Sequence, residues 1–449
     1  MKSRRTSFYR APVAILAFDR PEYLRSVLES VVAQQYCDIE SREVFFFQDG
    51  ATNPFSGQTY VSEAVIGQNL DLFRTFFPHS KIYQSPVNLG IGLHFDFIER
   101  LLFEDLKAEA AIFLEDDFVL TPTYLRVLDS LVNQALDDSR IGYVSAVGDH
   151  TLTLEEQHRR RRQPMIMRRN WAFGLTKRQW DANRLYLDQY LSLIRNVDYR
   201  ERPHLEIFDL YSTWGAARIE SSQDRAKAIA STLNGSLRLN TTPCYGKYIG
   251  ERGEHSNEAM YELSQFRQTP VYSDPIDDFG FMTNSKYVEL LTQQQRDIQG
   301  TIPVLRENAE LRFSSGSEGA LALGRGFQPP EDWGAWSSSN NSSIVFYTAS
   351  EDPSHHLQVE VTCRYHLPED VKSAAVRILV HDIQVDTIFV GGTPTSHLIE
   401  VPPGRPRHDE PMTVTFLTDT LGSPSEYRDS SDQRKLGLGI LKIALRRIK

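Results

Sequence analysis

The first 120 residues alternate between short apolar runs and amphipathic stretches, and this alternation restricts the fold more than any other feature. A continuous apolar run, typical of a strand buried on both faces, occupies residues 12–18, and further strand-like segments occupy residues 43–47, 81–83 and 110–114. Between the first two runs, Tyr23, Val27, Leu28 and Val31 recur at helical spacing. Strands that alternate with helices form a mostly parallel sheet covered by helices on both faces. We therefore predict an α/β domain over residues 1–300.

The pattern changes near residue 300 to short strands punctuated by Gly, Pro, Ser and Asp. Strand-like runs occupy residues 343–347, 357–362, 375–380, 387–390 and 412–416. Regular short strands with turn residues between them are typical of a β-sandwich. We predict an all-β sandwich domain over residues 301–449, with a role in glycan binding or oligomerisation. Trp333 and Trp336 are its candidate sugar-stacking residues, with core packing as the alternative.

Charge and cysteine usage restrict the partners and the compartment. The chain carries 59 acidic and 49 basic residues, a formal net charge of −10. Because nucleic-acid-binding domains usually present a basic face, no nucleic-acid partner is expected. Three cysteines without CxxC spacing favour free thiols in a reducing compartment. The apolar run 11–18 is far shorter than the ~20 residues that span a bilayer, which favours a cytoplasmic protein.

Acidic residues follow two of the predicted strands directly. Glu115-Asp116-Asp117 comes after the strand at 110–114, and Asp49 follows the strand at 43–47. Ligands of parallel α/β sheets bind at the carboxyl ends of the strands, where both groups of acids are expected. Adjacent carboxylates need a compensating charge, and hard oxygen ligands suit Mn²⁺ or Mg²⁺. The alternatives are a helix N-terminus for the cluster and a simple Asp-Gly turn for Asp49.

Four segments in order resemble the GT-A glycosyltransferases, which have a Rossmann-like fold. They are Pro-Val-Ala-Ile-Leu-Ala-Phe-Asp-Arg-Pro at 12–21, Phe-Phe-Gln-Asp-Gly at 46–50, Asn-Leu-Gly-Ile-Gly at 88–92 and Phe-Leu-Glu-Asp-Asp at 113–117. The resemblance is to glycosyltransferase family 2 and to the animal N-acetylglucosaminyltransferase that initiates complex N-glycans. It covers residues 10–260. The C-terminal domain resembles the β-sandwich module of bacterial polysaccharide-assembly glycosyltransferases.

The resemblance implies roles for the acids at the strand ends. Asp117 would bind the metal, and Asp49 would contact the nucleoside of the donor. Asp116 and Glu115 would face the ribose and the donor sugar. Asp19, directly after the first strand, is grouped with these donor-binding residues.

Further residues are expected around the donor. Trp171 begins a segment that is similar to the aromatic wall of the family's sugar pocket, although it has fewer tryptophans. Asn88 opens a turn that would place backbone amides near the diphosphate. His255 is a candidate second metal ligand, and Arg252 is a candidate phosphate ligand.

The catalytic base has two candidates. Inverting members of the family use one carboxylate to take a proton from the acceptor hydroxyl. Asp224 precedes Pro243, an Ile-Gly turn and His255 in the order that the resemblance implies, but the usual aromatic neighbours are missing. Asp209 is the rival base, and a surface acid on a helix is the alternative interpretation of both.

The function predicted from these residues is a metal-dependent, inverting glycosyltransferase in bacterial surface polysaccharide assembly. Its donor would be a UDP- or dTDP-sugar, its acceptor a glycan or lipid-linked glycan, and hexosyl or N-acetylhexosaminyl transfer its reaction. The basic run 158–162 leaves peripheral contact with the inner face of a membrane open, and homo-oligomerisation also stays open. Two alternatives are a carbohydrate-binding protein with a degenerate transferase domain, and a nucleotide-sugar-forming nucleotidyltransferase. The latter would need a Gly-rich loop where this chain has Asp19-Arg-Pro-Glu22.

Overall fold

The computed structural model describes residues 8–217, 220–252, 258–280, 282–300, 302–349, 357–381, 383–401 and 411–447. The chain forms two compact units, of which the first comprises Met1–Pro203 and Ser222–Gln295. The second comprises His204–Ser221 and Arg296–Lys449, so a short internal segment groups with the C-terminal residues. Within the described ranges, no helix combines the length and the apolar character needed to cross a bilayer.

The first unit is built from alternating strands and helices. Its strands are β1 (Val13–Ala17), β2 (Val44–Gln48), β3 (Lys81–Gln84), β4 (Ala110–Glu115), β5 (Phe118–Leu120), β6 (Ile141–Ser145), β7 (Met165–Ile166), β8 (Ala172–Thr176), β9 (Leu237–Asn240) and β10 (Gly246–Tyr248). Its helices are α1 (Pro21–Val32), α2 (Glu63–Phe76), α3 (Gly90–Arg100), α4 (Tyr124–Asp137), α5 (Leu154–Arg159), α6 (Lys177–Ile194), α8 (Gln223–Leu233), α9 (Glu258–Leu263) and α10 (Asn284–Gln299). A π-helical turn (Leu101–Asp105) continues α3, and short 3₁₀ turns lie at Tyr199–Glu201 and Phe266–Gln268. Helix α7 (His204–Thr213) groups with the second unit.

Eight strands form one mixed sheet in the order β3-β2-β1-β4-β8-β6-β9-β7. The first four are parallel, and β6 is parallel to β9, whereas β8 runs antiparallel to both β4 and β6. Strand β10 pairs with β5 in a separate two-stranded antiparallel sheet. The sequence analysis identified β1 to β4 but did not identify β8, which begins directly after Trp171.

Both faces of the sheet are buried, which explains the unbroken apolar runs. Val13 and Ile15 of β1 belong to a core cluster with residues of α1 and α4. Ala14 and Leu16, which point to the other face, pack in a cluster with residues of α3 and α6. A strand with helices on both sides has no polar face, so its sequence cannot alternate.

The second unit is a β-sandwich around its own core. Its strands are β11 (Val304–Arg306), β12 (Glu310–Arg312), β13 (Ala335–Trp336), β14 (Asn341–Ala349), β15 (Leu357–Tyr365), β16 (Ala374–Val380), β17 (Ile383–Val390), β18 (Thr395–Glu400), β19 (Met412–Thr418) and β20 (Leu438–Arg447). A 3₁₀ turn (Glu318–Ala322) and α11 (Pro424–Tyr427) complete it. One sheet has the order β11-β14-β19-β16-β17, and the other has β12-β20-β15-β18 with β13 beside β20. Buried residues alternate along β15, as expected for a strand with one face in the core.

The predicted fold class is confirmed. A mostly parallel α/β sheet with helices on both faces is followed by a β-rich sandwich. The five strands predicted after residue 300 correspond to β14, β15, β16, β17 and β19, whereas β18 and β20 were not identified.

Candidate active site

Charged side chains meet at the carboxyl edge of the parallel strands. Arg20 follows β1, Asp49 follows β2, and Asp116 and Asp117 follow β4. Because β1 is parallel to both β2 and β4, these strand ends lie at the same edge of the sheet. The structure therefore places the acids from both predicted segments where α/β sheets bind their ligands.

Arg20 neutralises the acid cluster directly. Its Nη1 atom donates to Oδ2 of Asp117 at 2.8 Å, and its Nη2 atom donates to Oδ1 of Asp116. Both acidic side chains are almost fully buried, at 4% and 6% exposure. The other oxygen of Asp117, Oδ1, is buried and has no hydrogen-bond partner among the described residues. Such an atom is costly to bury, so it marks a position that can take a ligand.

The electrostatics of the cluster reflect three acids and one base. Burial raises the pKa of Asp116 to about 6, with Arg20 opposing the shift and Asp117 adding to it. Burial also raises the pKa of Asp117. The pKa of Glu115 is raised well above its usual range by burial and then by Asp117, Asp224 and Asp116. The charge of one guanidinium therefore does not satisfy the whole cluster.

The strand β10 and the loop after it lie against Asp117. The backbone N–H of Ile249 donates to the carbonyl oxygen of Asp117 at 2.9 Å. A Cβ atom at Gly250 would lie 2.8 Å from Oδ2 of Asp117 and 2.3 Å from the hydroxyl of Tyr248. Only glycine fits there, because any side chain would collide with the hydroxyl of Tyr248 and crowd the carboxylate.

Asp49 and Asn88 form one local structure. Oδ1 of Asp49 accepts from the backbone N–H groups of Gly50 and Leu89, at 2.9 and 2.8 Å. Oδ2 accepts from the N–H of Gly90 at 3.0 Å and from Nδ2 of Asn88 at 3.2 Å. In this arrangement Asp49 anchors the turn that begins α3, and its assignment to the nucleoside stays a prediction.

Asp224 lies in a polar chain near the acid cluster, since its charge contributes to the raised pKa of Glu115. It is in the first turn of α8, and its Oδ1 accepts from Nδ2 of Asn170 at 2.8 Å and from Gln223. Arg238, which is buried, donates to Oδ1 of Asn170 and so orients that amide. Both of these hydrogen bonds end on the same oxygen, so they fix the orientation of the half-buried Asp224 carboxyl group.

Trp171 belongs to an aromatic group beside the same strand end. Its ring stacks on Tyr248 with centroids 4.1 Å apart, and it meets Phe266 edge-on at 5.3 Å. The guanidinium of Arg169 lies 4.8 Å from the Trp171 centroid. The carbonyl oxygen of Trp171 accepts from the N–H of Glu115 at 3.1 Å, which ties this group to the acid cluster. Tyr248 covers one face of the indole.

The remaining predicted site residues have fewer contacts with the acid cluster or none. Asp19 is exposed, and its carboxylate lies 3.9 Å from Nε of Arg20. The carbonyl oxygen of Arg252 accepts from Nη1 of Arg20 at 3.3 Å. Asp209 lies on α7 of the second unit. His255 lies outside the described residues.

Sequence reasoning missed three buried basic residues. Arg20 was not assigned a role, although it stands in the conspicuous Asp-Arg-Pro segment after β1. Arg238, within β9, holds Asn170. His94 of α3 is buried beside Asp49, and burial lowers its pKa while Asp49 raises it. The contacts of these residues join positions far apart in the chain, so no local pattern reveals them.

A divalent metal fits the residues of this site. Within the described residues, no group of three or more His, Cys, Asp or Glu side chains is arranged to hold a metal ion. Mg²⁺-like ions do not require such a group, since one or two carboxylates together with substrate phosphates commonly hold them. Asp117 supplies a buried carboxylate oxygen, Oδ1, without a partner among the described residues, while its other oxygen, Oδ2, accepts from Arg20.

Two tryptophans of the second unit form a separate cluster. Trp333 and Trp336 meet edge-on at 4.8 Å, and the guanidinium of Arg364 lies 3.7 and 4.7 Å from their centroids. Nε1 of Trp333 donates to Glu331 at 2.7 Å. Arg364 lies over both rings, and the two tryptophans are half-buried, so their part in sugar binding stays a prediction.

Comparisons with known proteins return structures but no sequence relatives. No protein-family model and no curated protein matches the chain. The fold is similar to the mannosyltransferase PcManGT from Pyrobaculum calidifontis in complex with GDP-Man and Mn²⁺, at 9% identity and TM-score 0.35 over 64% of this chain and 70% of that one. It is similar to GalNAc-T7 with UDP, GalNAc and Mn²⁺, at 10% identity and TM-score 0.30 over 51% and 42%.

The third similarity is to the CBM36-1 domain of a multidomain xylanase from the hindgut metagenome of Trinervitermes trinervoides. It has 16% identity and TM-score 0.18, over 30% of this chain and 95% of that domain. The function proposed below rests on the residues of the site rather than on these similarities.

Proposed function

We propose that this protein is a metal-dependent glycosyltransferase that moves a sugar from a nucleoside diphosphate to a carbohydrate acceptor. The observation that carries the proposal is the buried Glu115-Asp116-Asp117 cluster at the carboxyl edge of the sheet, in which Asp117 keeps one oxygen without a partner. Burial raises the pKa of all three acids, and the neighbouring acids add to the shifts of Glu115 and Asp116, so Arg20 alone does not satisfy the cluster. Perturbed carboxylates of this kind concentrate at functional sites.

Asp117 is the residue that would hold Mn²⁺ or Mg²⁺. When bound, the ion supplies positive charge to the leaving diphosphate. Asp116 and Glu115 then face the ribose and the sugar, and Asp49 holds the turn whose backbone amides precede α3. Arg252 is the proposed phosphate ligand, and the hydrogen bond from Arg20 to its backbone carbonyl oxygen, which brings its backbone next to the cluster, supports this role.

Asp224 is the proposed base. Asn170 and Gln223 fix its Oδ1, while Oδ2 takes the proton from the acceptor hydroxyl. The hydroxyl oxygen of the acceptor then forms a bond to the anomeric carbon of the donor sugar. The bond from this carbon to the diphosphate breaks at the same time, and the diphosphate leaves with the electron pair. One displacement inverts the anomeric centre. Asp209 remains the rival base. The proposed donor is a UDP- or dTDP-sugar, and the proposed setting is surface polysaccharide assembly in the cytoplasm.

A second candidate is a carbohydrate-binding protein whose transferase domain is inactive. The observation that favours it is Arg20, which already pairs with Asp116 and Asp117. A permanently paired cluster would hold no metal. In that case the aromatic cluster of Trp333, Trp336 and Arg364 would be the site to test for glycan binding.

Thermal unfolding with nucleoside diphosphates, with and without Mn²⁺, tests the two candidates. A ligand that binds only the native state increases the free energy of unfolding by linkage, by about 2.7 kcal/mol at a concentration 100 times its Kd, and so raises the apparent Tm. We expect a shift for one nucleotide that requires metal and disappears in Asp117→Asn but persists in Asp71→Asn, which changes an exposed surface acid of α2. No shift with any nucleotide would reject the transferase and leave the carbohydrate-binding candidate.

A further inference from the structure

The acid cluster is held in the metal-free protein by a guanidinium that occupies the same carboxylate a metal would use. Arg20 bridges Asp117 and Asp116 through different nitrogens, and its side chain is only 21% exposed. Burial alone would lower the pKa of Arg20, but Asp116 and Asp117 raise it above the usual range. The guanidinium is therefore a fixed cation in the centre of the site.

Arg20 also joins the cluster to the loop after β10. Its Nη1 atom donates to the carbonyl oxygen of Arg252 at 3.3 Å, and its guanidinium lies 5.5 Å from the ring centroid of Tyr23. The hydroxyl of Tyr23 accepts from the N–H of Arg252 at 3.3 Å. These contacts provide partners for the guanidinium other than the carboxylates.

We propose that Arg20 is a built-in competitor of the metal, which leaves Asp117 when a divalent cation binds and is then directed towards the leaving diphosphate. The inference rests on the proposed function. A cation at Asp117 must replace the charge-assisted hydrogen bond to Oδ2 or repel the guanidinium at close range. Metal affinity is reduced by whatever free energy that contact contributes in the metal-free protein. Once displaced, a guanidinium matches the geometry of phosphate oxygens.

The direct test is the affinity of the protein for Mn²⁺ alone, measured by the electron paramagnetic resonance of the free ion, with and without UDP. Arg20→Met keeps an unbranched apolar side chain at this position and removes its charge. We expect Arg20→Met to bind Mn²⁺ at least about tenfold more tightly than the unmodified chain, because a hydrogen bond to a charged group no longer has to be given up. Arg20→Lys keeps the charge but lacks the rigid fork of the guanidinium, so its affinity should be intermediate.

Arg42→Met is the matched control. Arg42 also pairs with a buried aspartate, Asp129, at 2.7 Å through both terminal nitrogens, and its remaining hydrogen bonds go to the carbonyl oxygen of Ala11, away from the acid cluster. Its loss should lower the Tm without changing the Mn²⁺ affinity. If Arg20→Met folds poorly, added Mn²⁺ should restore its Tm while leaving that of Arg42→Met unchanged.

The outcomes separate this inference from the function on which it rests. Equal or weaker Mn²⁺ binding by Arg20→Met, when the unmodified chain binds the ion, overturns the competition and leaves the transferase standing. Mn²⁺ binding by Arg20→Met alone overturns the displacement of Arg20 by the metal and the metal-dependent function with it, because Arg20 would then keep the ion out of the native site. No binding by any variant, with or without UDP, rejects both.

Discussion

The buried ion pair of Lys227 and Glu99 should control the position of the proposed base. Nζ of Lys227 lies 2.6 Å from Oε1 of Glu99, the two side chains are 4% and 1% exposed, and Nζ lies 4.1 Å from the Phe95 centroid. Lys227 is one turn after Gln223 and Asp224 on α8, and Glu99 is on α3. The pair therefore fastens the start of α8 to α3.

Lys227→Met removes the ammonium and leaves the carboxylate of Glu99 buried. Removing one partner of a buried pair costs about 3–5 kcal/mol of unfolding free energy. Burial already raises the pKa of Glu99, and Lys227 is the largest influence that lowers it, so the variant should raise this pKa further. When folding raises the pKa of a carboxyl group, the native state is more stable with that group protonated. The native state therefore loses stability as the pH rises through the pKa of the folded protein. The deficit should therefore be largest near neutral pH and shrink in acid.

Urea unfolding followed by circular dichroism at about pH 7 and about pH 5 measures both effects. The double variant Lys227→Met/Glu99→Leu should recover most of the loss, because two apolar groups can replace a buried pair at little cost. Lys177→Met is the control, since its pair with Asp181 is 35% and 52% exposed and should contribute less than about 1 kcal/mol. A deficit below about 1 kcal/mol for Lys227→Met, or one that does not depend on pH, would refute the reasoning.

Three further predictions concern the site. Asp224→Asn should lower kcat by about 10²–10⁴-fold with an unchanged Tm, whereas Asp209→Asn should keep kcat in the same glycosyl-transfer assay; the reverse result would move the base to α7. Because burial raises the pKa of Asp116 to about 6, protons should compete with the metal, and the Mn²⁺-induced rise in Tm should grow as the pH increases through that value; a flat profile contradicts this. Gly50→Ala would place a Cβ atom 2.3 Å from a backbone carbon of the facing loop and should lower the free energy of unfolding in urea by about 1–3 kcal/mol. Gly67→Ala meets no atom within 4 Å and should not destabilise the protein, and equal Tm values for the two variants would contradict the close approach.

The parts of the fold that were predictable are those with a local signal. The apolar runs of β1, β2 and β4 are continuous because both faces of the sheet are buried, and the acids after them identify its functional edge. Strand β8 was missed, although all five of its residues are buried, because Ala172–Thr176 is short and contains a glycine. Its antiparallel place between β4 and β6 depends on pairing partners that a local pattern does not contain.

The site itself was predictable only in part, because its hydrogen bonds are long-range. That Asp49 would hold the turn at Asn88 requires knowing that β2 and the start of α3 are adjacent, 39 positions apart in the chain. Asn170 reaches Asp224 across 54 positions. Residue type and strand position indicate where polar groups gather, but partner choice depends on packing.

The sequence analysis was right that the acid cluster needs a positive charge nearby, but it did not identify the residue that supplies that charge. Three adjacent carboxylates require a compensating cation, and the sequence analysis assigned that role to a divalent metal. In the ligand-free fold Arg20, 97 positions before Asp117, takes the same role. The guanidinium satisfies one oxygen of Asp117 and leaves the other without a partner, and burial still raises the pKa of all three acids. Because Arg20 compensates only part of the negative charge of the cluster, a second cation is still attracted to it. The affinity for that cation measures how much negative charge Arg20 leaves uncompensated.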